Sequence, residues 1–229
     1  MQALFALAFL LTPEAPFMPA YLDRIEGTTA RYAECVKLIG EDPVLARKAA
    51  EAWASEGGGA PALHCLAISD LATGLPKLAA NRLTEIAERS DAGDLRARAR
   101  LLAEAALAFL DAGDPQRAEQ SVAASKKLAP ILPELDFVAA KAYAAGGKWQ
   151  AAADAVTAAE AAGATSSEAY VIRARANRAL AKDADAADDV VAALNLDPYN
   201  LDALVLRGEL QQAGIVIDAY YGDGKDQAN

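Results

Sequence analysis

The chain has 229 residues, 59 of them alanine, with 54% apolar residues, 6% aromatic residues and a net charge of −10. Alanine is the best helix former and a poor strand former, so this composition argues against a β-sandwich and for close-packed helices, while the apolar share excludes a disordered chain. The acidity, with a pI near 4.7, argues against a nucleic-acid binder, which needs clustered Lys and Arg to replace phosphate counterions.

Residues 1–20 begin with an apolar stretch at positions 3–11, followed by Pro13, Pro16 and Pro19. This pattern reads as a secretory signal peptide, or else as an apolar N-terminal segment packing on the first helix. Against cleavage, the first basic residue is Arg24. Ala15 and Ala20 also have Pro13 and Met18 where a small residue is wanted. Beyond residue 20 no apolar run approaches the ~18 residues that span a bilayer.

From residue 21 to residue 221 a beat recurs: a glycine that stops one helix, then an alanine five residues on. The pairs are Gly74 with Ala79, Gly113 with Ala118, Gly147 with Ala152, and Gly214 with Ala219. Lys182 and Ala187 fill the same places in one unit, and Gly40 opens the series with Leu45 in the alanine's place. Glycine suits the left-handed turn that ends a helix. The prolines that follow, Pro43 and Pro115, suit the first turn of the next helix, where a missing N–H costs nothing. The alanine is small because two helices cross there. Apolar stripes at helical spacing precede the turns, as at Leu102, Ala105, Ala106 and Phe109. An insertion near residues 90–96 starts one helix early, near Gly93 or Asp94. The helix from about Asn200 to Ala213 carries Glu209, Gln211 and Gln212, a polar end for a stacked array. Residues 222–229 are expected to be a frayed tail.

This register resembles the tetratricopeptide repeat, a helix-turn-helix unit of 34 residues. The resemblance covers five full units and a partial C-terminal one, and it implies an all-α, right-handed superhelical solenoid. It also implies a concave face built by the first helix of each unit, which binds a protein or peptide partner. Counted from the turns, the partner-binding candidates include His64, Ile68, Arg100, Leu107, Phe137, Lys141 and Ile172. The family's carboxylate clamp needs Asn at the ninth position of the first helix, and none is found there.

The two cysteines, Cys35 and Cys65, fall on neighbouring first helices. In an exported chain they read as a disulfide, and otherwise as two buried thiols. His64 lies beside Cys65, but adjacent helical residues diverge by about 100°, which disfavours a Cys–His dyad. Three soft ligands, Cys35, His64 and Cys65, lack the paired spacing of a zinc site. No phosphate-binding, zincin or nucleophile-elbow motif occurs. The expectation is therefore a scaffold with no catalytic residues, metal or cofactor. It is placed in the periplasm or outside the cell, in a bacterial envelope. A cytoplasmic adaptor of the same fold is the alternative, and a thiol- or metal-dependent protein the remote one.

Overall fold

The structure, a computed structural model, describes residues 28–217. The apolar segment at 1–20 and the tail at 222–229 lie outside the described residues, as does Ala219 of the last pair. Among the described residues the fold is all-α, with eleven helices. They are α1 (Thr28–Glu41), α2 (Pro43–Ser55), α3 (Gly59–Ala72), α4 (Pro76–Glu88), α5 (Leu95–Asp111), α6 (Pro115–Leu128), α7 (Pro133–Ala145), α8 (Trp149–Ala161), α9 (Ser167–Ala179), α10 (Asp183–Leu196) and α11 (Leu201–Gln212). Odd-numbered helices are the first of each repeat and even-numbered helices the second.

The turns inside the second to sixth repeats share one construction. The N–H groups of Leu75, Asp114, Lys148, Lys182 and Ile215 donate to the carbonyls of Asp70, Phe109, Tyr143, Asn177 and Leu210, five residues back. The residue just before each donor closes that ring in the left-handed region. It is Gly74, Gly113, Gly147, Ala181 and Gly214, with φ between 58° and 85°. Ala181 takes this place without being glycine, so the fourth marker sits one residue earlier than Lys182. Its crossing alanine is then Ala186, which is fully buried, and not Ala187. The first repeat shifts the other way. Gly40 lies inside α1, the chain turns at Asp42, and the crossing residue is the fully buried Ala46 rather than the exposed Leu45. With these two corrections Ala46, Ala79, Ala118, Ala152 and Ala186 form one equivalent set, all at 0% exposure. Each N–H bonds the carbonyl of the residue that caps its own helix.

The prolines at the second-helix starts behave as expected: Pro43 and Pro115 occupy the first turns of α2 and α6, and Pro76 does the same in α4. Asp42 and Asp114 cap α2 and α6 by accepting from backbone N–H groups. The insertion has a structural role. Asp94 caps α5, as the sequence anticipates. Asp91 reaches across the chain and accepts from the Ala60 N–H at 3.1 Å, at the start of α3, where Gly58 offers no side-chain cap.

The chain divides into two compact units, residues 1–135 and 136–229. In the first, α3 and α5 are the most deeply embedded helices, and Leu101 and Phe109 of α5 join Leu83 and Ile86 of α4 among the large buried side chains. In the second, Val171, Val190, Leu194, Leu206 and Leu210 centre the core, and Ile215 and Ile217 pack against it after α11 ends. The β-branched Ile215-Val216-Ile217 stretch does not continue as a helix.

Candidate functional site

In the first unit the sequence candidates converge on a buried polar centre. Cys35 of α1 and Cys65 of α3 form a disulfide, with Cα atoms 6.3 Å apart. One turn before Cys35, the Tyr32 hydroxyl meets His64 Nδ1 at 2.6 Å. His64 Nε2 meets Glu104 Oε2 of α5, also at 2.6 Å. With its proton on Nε2, the imidazole donates to Glu104 and accepts from Tyr32, so both ring nitrogens are satisfied. His64 is 3% exposed. The expectation that it lies open on the partner-binding face is corrected: it links three successive first helices from within. Glu104 Oε1 is buried without a hydrogen-bond partner. Among the described residues no group of three His, Cys, Asp or Glu side chains is placed to hold a metal. A second buried carboxylate, Asp70, is clamped by Arg47 Nε at 2.7 Å and Arg82 Nε at 3.1 Å, which joins α2, α3 and α4. Asp70 gave no signal in the sequence, because its partners lie 23 and 12 residues away on other helices.

The remaining candidates of the first unit stand on first-helix faces. Ile68 on α3 and Leu107 on α5 are half-buried. Arg100 of α5 donates from Nε to Glu134 at 3.1 Å.

The second unit carries the most developed surface. Lys141 lies over the Phe137 ring, 5.2 Å from its centroid, and pairs with Glu168 of α9 at 2.8 Å. Further along, Arg175 of α9 pairs with Asp202 of α11 at 2.8 Å, and Arg178 pairs with Glu209. These last two pairs border a cleft of about 410 Å³ floored by Ala179, Val205 and Leu206. Ile172, by contrast, is 8% exposed. The one-residue shift at Ala181 puts Arg175 at the place in α9 that Lys141 holds in α7, six residues before the left-handed turn residue. Counting from Lys182 passes over Arg175 and Arg178, whereas Asp202 and Glu209 fall at places in α11 that counting from Gly214 does not select. Arg173 steadies this unit by bridging Glu160 at 2.6 Å and Asp189 at 2.7 Å. The Arg173 hydrogen bond, helped by the Tyr170 hydroxyl, holds the Glu160 carboxyl below its ordinary range.

Both arginines of the cleft already have an acid, so it presents donors and acceptors of both signs around a small apolar floor. That arrangement suits the alternating N–H and C=O groups of a peptide backbone with an apolar side chain.

No protein-family model matches the chain, and no curated protein matches it in sequence. Solved structures do match. PilF of Pseudomonas aeruginosa superposes with a TM-score of 0.64 at 19% identity, over 80% of this chain and 82% of that one. YrrB, a TPR protein with an unusual peptide-binding site, gives 0.61 at 15% identity, over 84% and 97%. A thermophilic TPR protein of Thermus thermophilus gives 0.58 at 19% identity, over 81% and 100%. The chain has the tetratricopeptide-repeat fold.

Proposed function

We propose that the chain is a non-enzymatic scaffold that holds a peptide or protein segment against its first-helix faces. The observation that carries this reading is the cleft between α9 and α11, bordered by two Arg–carboxylate pairs and floored by Val205 and Leu206. Phe137 with Lys141, and Leu107 in the first unit, supply further anchors on the same kind of face. The shared fold with YrrB, which has a peptide-binding site, supports the reading. A bound segment lays backbone groups against the paired charges and one apolar side chain on the floor. The test is selection of binders from a random peptide library by the full chain, followed by affinity measurements. Arg175→Glu with Arg178→Glu, and separately Phe137→Glu, are expected to weaken the selected peptides at least tenfold. Unchanged affinity for every selected peptide in both variants would sink the proposal.

The same reading puts the protein outside the cytoplasm, in the periplasm or secreted. The apolar stretch at 3–11 and the Cys35–Cys65 disulfide support this, since disulfides persist in oxidising compartments. Protein from the native host should lack its first residues and titrate no free thiol without reductant. An intact Met1 with two reactive thiols would favour the cytoplasmic adaptor instead.

A further inference from the structure

In the first unit a covalent bond latches α1 over the buried polar centre. Tyr32, Cys35 and Ile39 line the inner side of this helix, whereas Arg31, Glu34, Lys37 and Glu41 are exposed. Tyr32 stacks on the His64 ring, with centroids 5.7 Å apart, and its hydroxyl hydrogen-bonds Nδ1. Glu104 of α5 holds the opposite nitrogen, Nε2. Thus α1 covers the Nδ1 side of His64 and α5 covers the Nε2 side.

The hold of α1 on the rest of the unit depends on the disulfide. A helix of 14 residues is marginal on its own in water, so α1 needs its tertiary contacts. Of the three buried side chains, Cys35 is bonded to Cys65, Tyr32 is engaged with a polar ring, and Ile39 alone is aliphatic. Arg31 adds a surface tie to α2, lying over Trp53 and pairing with Glu56. Both members of that pair are exposed, and exposed pairs stabilise little.

We propose that α1 is a redox-sensitive cover, closed over His64 while Cys35 and Cys65 are joined and open once a dithiol reduces them. The reductant's thiolate attacks the Cys35 sulfur, the more accessible one, since Cys35 is 8% exposed and Cys65 0%. The Cys35–Cys65 bond breaks, a mixed disulfide forms on Cys35, and Cys65 leaves as a thiol after taking up a proton. The second thiol of the reductant then attacks the reductant's own sulfur in the mixed disulfide, and Cys35 leaves as a thiol. Two electrons and two protons have passed to the chain, and the reductant departs as a disulfide. With the bond gone, α1 lifts, Tyr32 parts from Nδ1, and the α3 face carrying His64 and Cys65 opens to solvent. Reoxidation reseats the helix. In the oxidising compartment proposed above, the cover stays shut until such a dithiol reaches it. None of these residues lines the cleft between α9 and α11, so the cover is tested independently of peptide binding.

The chain has one histidine, so diethylpyrocarbonate labelling of the full chain, read by mass spectrometry on the peptide containing His64, reports the cover directly. The oxidised chain should label slowly. After reduction with dithiothreitol and removal of the excess, labelling should quicken at least tenfold, and reoxidation should restore protection. Amide exchange in the reduced chain should rise in α1 well beyond any rise in α3 or α5. Oxidised Tyr32→Phe, which keeps the disulfide, should label as slowly as the oxidised wild type. Labelling that is unchanged by reduction overturns the proposal. So does an equal rise of exchange through α1, α3 and α5, which marks loss of the unit's fold rather than a lifted helix. Fast labelling of oxidised Tyr32→Phe overturns it as well, because the hydrogen bond and not the disulfide would then hold the cover.

Discussion

The five crossing alanines set the tightest limits on single residues. Ala152 has no exposed surface, and α8 meets its neighbours there. A larger side chain must displace close-packed helices, at a cost of about 1–3 kcal/mol. Ala152→Leu is therefore expected to lower the stability measured by urea unfolding by that amount, whereas Ala151→Leu, one residue away at a less buried site, should lower it less. Asp91 offers a second residue-scale test. Its hydrogen bond from Arg89 holds the carboxyl below the usual Asp range, and the Ala60 N–H adds to this. A carboxyl with a lowered folded value contributes stability at neutral pH, and that contribution is lost as pH falls through the lowered range. Stability measured from about pH 7 to about pH 3 should fall less in Asp91→Asn than in the wild type. The effect should be small, because Asp91 is partly exposed and screened. Residues of this kind divide sharply in legibility. Ala79, Ala118 and Ala152 follow from spacing alone. Asp91, Asp70 and Glu104 do not, because each acts on a helix distant in sequence.

Among the helices, α1 is one of the thinly held. Its buried side chains are Tyr32, Cys35 and Ile39, whereas α3 and α5 bury far more. One of the three is in the disulfide and one hydrogen-bonds His64. Closing a 30-residue separation contributes about 3–4 kcal/mol in the chain-entropy model. The double variant Cys35→Ser, Cys65→Ser should lose stability of that order. Its amide exchange should rise in α1 first and leave α9 and α10 protected. Uniform exchange along the chain would show that α1 is not the weak element. The sequence placed both cysteines on neighbouring first helices, and so made the pairing legible. It also offered two buried thiols as the alternative, because only the packing of α1 on α3 brings the two Cα atoms within bonding range. The opposite case is α5. Its early start at Asp94 was readable, but the reason for the inserted residues, a cap supplied to α3, was not.

For the molecule as a whole, charge is the property that sequence states most directly. With a net charge of −10, the chain should not retain duplex DNA in a mobility-shift assay even at low salt, where phosphate contacts are strongest. Retention that weakens steeply with added salt would contradict this. The sequence by itself determined the all-α fold and the turns at Gly74, Gly113 and Gly147, because alanine content, left-handed turn residues and first-turn prolines are local signals that each act within a few residues. Only the tertiary structure decided which side chains on those helices stay exposed and which are covered. It moved the register one residue at Ala181, which put the exposed Arg175 in place of the buried Ala176, and it placed Ile172 inside. It also drew His64 inside, between Tyr32 and Glu104. Helical spacing fixes a residue's angle around its own axis, but burial depends on which neighbouring helix covers that angle, and the neighbour lies more than thirty residues away in the chain.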